Sequence, residues 1–238
     1  MDEMVQLWVY LASTPLFGLT ATLVVYVLAQ TVYDRLGRTP GANPVLWSVV
    51  ALGVLLWITA TPYPRYFAGA QFIHVLLGPA VVALAWPLWQ RRAQLRRRGV
   101  ALVVAGLCGG AAAALSAVLI GRAFGMPPEV LASLAPKSVT APVAMGIAQQ
   151  LGGVPALAAV FAVLSGIVGA LSARTLFDAM GVRDWSVRGF ALGTASHGIG
   201  AARALQVHPD AGAYAGVALG VQVLLASVLL PAVAVWLG

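Results

Sequence analysis

Of the 238 residues, 61% are hydrophobic and only 9% are charged, against roughly 25% charged in a soluble domain, so the composition excludes a soluble globular enzyme and places the chain in a membrane. The formal charge of +7 does not mark a nucleic-acid binder, because the arginines sit in short connections between apolar runs, where they act as topology signals. The single cysteine, Cys108 in VVAGLCGGAAAAL, leaves no disulfide, CxxC or thiolate metal site and is expected as a small buried hydrophobe. The length suits one compact helical bundle, and a single transmembrane domain is expected over 1–238.

Runs of about 20 apolar residues predict eight elements, taken here in chain order. The N-terminus, MDEMVQLW, lacks the basic n-region of a cleavable signal peptide, so the first segment, about 7–33, is expected to stay. Asp34 to Asn43, with Gly37, Pro40 and Gly41, turns the chain into a second element near 44–61. The third, near 67–89, carries His74, expected to bond a neighbouring carbonyl, and a break at Gly78 and Pro79. The cluster QRRAQLRRRG, Gln90 to Gly99, connects it to a fourth element near 100–124. Four more follow near 130–150, 154–177, 187–207 and 212–237. Strands are not indicated. Aromatic residues such as Tyr63, Tyr66, Trp86, Trp89, Trp185 and Trp236 sit at segment ends, as an interfacial belt requires.

The fifth element, VLASLAPKSVTAPVAMGIAQQ, places Lys137 between Pro136 and Pro142. A lysine at membrane depth costs about 2.5–3.5 kcal/mol, so it normally faces a water-filled cavity or a partner. Each proline removes a backbone donor, and hydrocarbon cannot satisfy the groups that a broken helix leaves. Ser138 and Thr140 either cap a half-helix beginning after the break or add donors to an anion site made of the ammonium and a helix N-terminus. Anchoring of helix carbonyls by Lys137 is the other reading.

The halves of the chain resemble one another. LGPAVVAL at Leu77 and LGTASHGI at Leu192 lie 115 residues apart, and shorter matches keep the same order, so repeats of about 7–124 and 130–237 are expected. Weak internal symmetry of this kind marks transporter folds. If residues 130–150 form a re-entrant hairpin instead of crossing, Arg35, Arg38, the five arginines of 91–98, Arg174, Arg183 and Arg188 share one side, opposite Arg65, Arg122 and Arg203. The positive-inside rule makes that ten-arginine side cytoplasmic. The same parity makes the repeat inverted, puts the C-terminus in the cytoplasm, and brings the Lys137 tip to the depth of His197.

The seventh element, RGFALGTASHGIGAARAL from Arg188, carries Thr194, Ser196 and His197 among Gly193, Gly198 and Gly200. Close helix packing accounts for the glycines as well as a functional break does. An ionisable residue within a span is functional by default, so His197 is expected to touch substrate or carry a proton. Arg203 is expected near the outer end, snorkelling to headgroups. A Ser138/Lys137 hydrolase fits poorly, since adjacent helical residues point in different directions and no partner acid is present.

At PKSVTAPVAM, GGVPALAAVF and RGFALGTASHGIGAARAL, the chain resembles the LrgB/CidB family of antiholin-like bacterial membrane proteins, and it is similar to the C-terminal half of the plastidic glycolate/glycerate translocator. NPVLWS from Asn43, LLGPAVVALAWPLW from Leu76 and AYAGVALG from Ala213 extend the resemblance over nearly the whole chain from Pro15. The family pattern falls on Pro136, Lys137, Ser138, Thr140, Pro142, Gly193, Thr194, Ser196, His197, Gly200 and Arg203. Ala141 stands where a second threonine is usual and Gly198 where alanine is usual.

The resemblance implies one of two roles: a carrier of small carboxylates such as glycolate, glycerate or pyruvate, or a modulator of murein hydrolases and lysis working with an LrgA/CidA-type membrane partner. The expectation is therefore an all-α polytopic protein of seven to eight elements in the bacterial inner membrane, carrying small monocarboxylates by proton coupling or exchange, and homodimeric. Lys137, Ser138, Thr140, Thr194, Ser196 and His197 are the expected binding residues, His197 also the proton site. Neither catalysis, cofactor, metal nor nucleic acid is expected.

Overall fold

The computed structural model describes residues 16–76, 79, 86, 89 and 92–237. The chain divides into two compact units, Met1–Ala83 and Leu84–Gly238. The described residues are helical and contain no strand. Four segments are long and apolar enough to cross a membrane: Leu16–Arg35, Arg96–Ala123, Pro155–Ala179 and Pro209–Ala232.

In the first unit, α1 (Leu16–Arg35) packs on α2 (Pro44–Ile58) and α3 (Tyr63–Val75). Asn43 starts α2: its Oδ1 accepts from Val45 N at 2.9 Å and Leu46 N at 3.2 Å, while Pro44 takes a first-turn position where no donor is needed. Gly18 lets α1 meet the α3 backbone, since a Cβ there would lie 2.9 Å from Ala70 N, and Thr22 Oγ1 bonds Tyr66 Oη at 2.7 Å. With 15 residues, α2 is shorter than the roughly 20 that a span needs. The expected start of the first element at 7–15, the break at Gly78 and the side chain of His74 lie outside the described residues; Pro79 is helical and exposed.

The second unit comprises α4 (Arg92–Ala123), α5 (Pro128–Leu134), α6 (Ala141–Gln150), α7 (Pro155–Ala179), α8 (Trp185–Val207) and α9 (Pro209–Leu237). Arg92, Arg96, Arg97 and Arg98 occupy the opening turns of α4 and not a connection, because arginine is a good helix former and its long stem lets the charge leave the helix. Cys108 is exposed on α4, contrary to the buried position expected.

The segment expected near 130–150 forms as two helices joined by a turn. Lys137 N donates to Leu134 O at 3.1 Å and Val139 N to Pro136 O at 3.2 Å, a tight winding that ends where α6 begins. Pro142 does not break α6; it sits in its first turn, where a missing N–H costs nothing. Val154 N donates to Ser133 Oγ at 2.7 Å, and a Cβ on Gly153 would stand 2.8 Å from Ser133 N. The chain thus enters and leaves this segment at one place, and the segment is a closed hairpin with its tip around Lys137–Val139.

A second hairpin was not expected from the sequence. At His197 the backbone of α8 turns to φ 41°, ψ −132°, and the helix folds back. Four observations establish the reversal. A Cβ on Gly200 would stand 2.7 Å from Leu192 O; Gly189 and Ala204 both pack near Ala211; Ala201 joins Leu192 and Ala215 in one apolar cluster; and the Trp185 ring stacks on His208 with centroids 5.0 Å apart. A straight helix over these residues would hold Trp185 and His208 roughly 34 Å apart. The reading of 187–207 as a crossing span is therefore corrected.

Three contacts orient the hairpins. Arg97 and Arg98, at the start of α4, line one cavity with Arg183, Asp184 and Asp210, so the opening of the second hairpin lies at that end. Arg98 lines a cavity with Asp210 and Tyr214, Gly106 packs against Val221, and Leu115 lines a cavity with Leu229 and Leu230, so α9 runs parallel to α4. Gly121, near the far end of α4, packs against Leu131 of α5, so the first hairpin opens at the opposite end. Arg203 lies with Arg174, Arg183 and Arg188, and its expected place opposite them is corrected by the same fold-back. The α7–α8 connection is held by Arg188 Nη2, which donates to Asp178 Oδ1 at 2.5 Å, and by Gly181 at φ 68°, which the closing turn of α7 requires. Asp184 caps α8, accepting from the Ser186 hydroxyl and from Ser186 and Val187 N–H groups, which hold its carboxyl below the usual carboxylate range.

Candidate functional site

Both hairpin tips rest on the middle of α7. Ser165 Oγ donates to Lys137 O at 2.7 Å, while Ser165 O receives the Ser196 hydroxyl at 3.4 Å. One serine therefore touches both tips. One turn earlier, Ala162 O lies 2.7 Å from His197 Nε2. A carbonyl only accepts, so Nε2 carries a proton and Nδ1 is left to accept or to take a second one. Gly166 and Gly169 make this approach possible: a Cβ on Gly166 would stand 3.0 Å from the His197 ring, and one on Gly169 would overlap the Ser196 hydroxyl.

Lys137 is half-buried at the first tip, and its Nζ lies 3.5 Å from Ser138 Oγ, a long and weak contact. Among the described residues no carboxylate pairs with it. Ser138 is buried beside it. Thr140 is the N-cap residue of α6, yet its side chain does not cap; Thr140 Oγ1 is buried without a partner. An unpaired ammonium, an unpaired hydroxyl and the first N–H groups of α6 thus collect at one tip. All three favour a negative charge.

Ser196 and His197 are buried at the second tip, and the ammonium of Lys137 is within electrostatic reach of the imidazole. Thr194 is not brought to this group. Its methyl points to Gly109 of α4, and it lines a separate cavity with Phe190 and Tyr214, its Oγ1 also unpartnered. Gly193 serves packing, since a Cβ would stand 2.7 Å from Ala215 Cα, and Gly200 serves the fold-back; Gly198 has only Leu219 Cδ1 near it, at 3.8 Å. Pro136 is fully buried in the first tip.

Sequence reasoning missed Ser165, Gly166 and Gly169, the surface on which both tips lie. Their signal is a serine with two glycines in the centre of an otherwise apolar span, where small residues allow backbones to approach. It also missed Gln222, buried in α9, whose Nε2 donates to Gly106 O at 2.5 Å. Among the described residues no three His, Cys, Asp or Glu side chains form a possible metal site.

The model of the LrgB-like family matches residues 22–236. The chain is 34% identical over 219 residues to Uncharacterized protein YxaC of Bacillus subtilis, covering 91% of this chain and 93% of that protein. It is 33% identical over 189 residues to an uncharacterized protein of Haemophilus influenzae, covering 79% and 82%, and 28% identical over 213 residues to the Holin-like protein CidB of Staphylococcus epidermidis, covering 88% and 91%. No solved structure matches it at a significant level. With the family model covering nearly the whole chain and relatives aligned across both hairpins, the chain belongs to the LrgB-like family.

Proposed function

We propose that this membrane protein is a secondary carrier of small monocarboxylates of the glycolate, glycerate or pyruvate kind. The observation that carries the reading is the unpaired Lys137 ammonium, set at a hairpin tip beside the unpartnered Thr140 hydroxyl and the α6 N-terminus. A half-buried cation with no counterion among the described residues is costly at membrane depth, and a carboxylate arriving there would offset that cost. Ser138, beside the ammonium, is a further donor, Ser196 sits on the same Ser165 that holds the Lys137 tip, and His197 Nδ1 is the group available for a coupled proton. Thr194 is left out of the binding set on this reading, because it faces α4.

Two hairpins that open at opposite ends and meet on one central helix suit alternating access, since each tip can act as a gate for one side. The arginines of the α4 start and the α7–α8 connection favour a cytoplasmic placement of that end in a bacterial inner membrane. The second hairpin then enters from the cytoplasm and the first from outside. Because α9 runs parallel to α4, its C-terminal end belongs outside, which replaces the cytoplasmic C-terminus expected when 187–207 was counted as a span. Four spans, two hairpins and the shorter elements of the first unit make seven to eight membrane elements. On this reading the inverted repeat pairs α4 and the first hairpin with α7 and the second, in place of the halves 7–124 and 130–237 expected from the sequence. The carrier is taken as a homodimer.

The name of the Staphylococcus epidermidis relative, Holin-like protein CidB, favours a second reading. On it, the chain modulates murein hydrolase activity and lysis together with an LrgA/CidA-type partner. Uptake of radiolabelled glycolate and pyruvate into liposomes holding this chain alone separates the two. The carrier reading expects saturable uptake without a partner; no uptake of either acid, in either membrane orientation and with or without a proton gradient, would remove it.

A further inference from the structure

A cavity of about 490 Å³ lies apart from the tips, between α7, both arms of the second hairpin and the start of α9. Ligand cavities are commonly about 300–1,000 Å³. Its rim carries four guanidiniums, from Arg174, Arg183, Arg188 and Arg203, against the single carboxylate of Asp178. Asp178 is already engaged by Arg188, whose guanidinium also lies over the rings of Trp185 and Phe177. Arg174 is 3.9 Å from the same carboxylate and 81% exposed. With Asp178 engaged by Arg188, the exposed Arg174 and Arg183 leave the rim with positive charge beyond what its own acid neutralises.

Below the rim the walls change character. Ala170, Ala173, Leu192 and Ala204 line the inner part, and no polar side chain interrupts them. Leu192 is seven residues past Trp185, where α8 begins, about 10 Å along the helix, which reaches from the headgroup level into hydrocarbon. A free inorganic anion would use the rim and leave the apolar walls idle, whereas an anionic phospholipid would use both. Guanidinium is suited to phosphate through paired N–H donors, and basic recesses between membrane helices take such headgroups.

We infer that this cavity binds an anionic phospholipid, phosphate on the arginine rim and acyl chain along the Ala170–Leu192 wall. The lipid sits where the second hairpin leaves α7, so its occupancy braces the hairpin whose tip carries Ser196 and His197. This site does not depend on the carrier reading.

The test uses the full chain in a neutral detergent, titrated with phosphatidylglycerol, phosphatidylcholine or inorganic phosphate and followed by thermal unfolding. Phosphatidylglycerol should raise the transition saturably, with neither of the others doing so. Arg174→Gln/Arg183→Gln, at two exposed positions, should weaken that response about thirtyfold, at roughly fivefold per arginine. Arg65→Gln/Arg122→Gln, which removes the same charge elsewhere, should leave it unchanged. As a second measurement, a photoreactive phosphatidylglycerol on the unaltered chain should label peptides containing Arg183–Leu192 or Arg203–Ala211. Stabilisation by phosphate alone, equal stabilisation by phosphatidylcholine, equal loss in the two double variants, or labelling confined to other peptides would each overturn the site.

Discussion

Gly169→Ala tests the contact on which the whole site rests. In an ordinary helix interior this substitution stabilises by about 1 kcal/mol, because glycine loses more backbone freedom on folding. At Gly169 the new Cβ would overlap the Ser196 hydroxyl and stand 2.9 Å from Ser196 Cβ, and Ser196 is fully buried, so it has no solvent to swing into. Overpacking of this kind costs about 1–3 kcal/mol. The balance is a net loss of about 0–2 kcal/mol together with a displaced second tip. Gly146→Ala is the matched control: it is also helical, has nothing within 4 Å of its added Cβ, and should gain up to about 1 kcal/mol. Thermal unfolding of both variants, with uptake measured in liposomes, should separate them by about 1–3 kcal/mol, with transport impaired only in Gly169→Ala. Adding Ser196→Ala removes the overlapping hydroxyl, so the double variant should recover about 1 kcal/mol relative to additivity. If Gly169→Ala is as stable as Gly146→Ala and transports normally, the second tip does not rest on α7 and the proposed site is wrong.

Lys137→Met keeps side-chain length and removes the half-buried, unpaired charge, so the protein should unfold no earlier than wild type while carboxylate uptake is abolished; retained uptake would reduce Lys137 to an anchor. His197→Gln should abolish accumulation driven by a pH gradient but spare exchange at equal pH if the ring carries the proton, since an imidazole can take up and release a proton and an amide cannot; loss of both modes would assign the ring to substrate binding, and normal rates in both would assign it to packing. His197→Gly should relieve about 1–3 kcal/mol of backbone strain at φ 41°, so a stable but inactive variant is expected, and full activity would show the imidazole dispensable. Cysteines replacing Arg96, Arg183 and Arg203 should be labelled from the same membrane side and one replacing Arg122 from the other; labelling of 203 with 122 would refute the second hairpin.

The two hairpins differ sharply in how legible they are in the sequence. Long apolar runs betray spans because lipid leaves the helix as the only open-chain way to satisfy the backbone, and α4, α7 and α9 lie where such runs predict them. The first hairpin is legible for a related reason. Pro136 and the charge of Lys137 cannot sit in an uninterrupted lipid-facing helix, so the sequence carries the break on its face. The second hairpin has no proline and no fixed charge at its turn, only a histidine in a backbone region that glycine usually fills, flanked by glycines that packing explains equally well. Local pattern therefore could not find it. A non-local signal was present: arginine stands at both ends of the segment, Arg183 and Arg188 before it and Arg203 after it. A true crossing would carry one of those ends to the side that the positive-inside rule keeps poor in arginine, whereas a hairpin returns both to one side. Residue Arg203 looks like a snorkelling exception when read alone; read with Arg183, it is what requires the chain to turn back before reaching the far side.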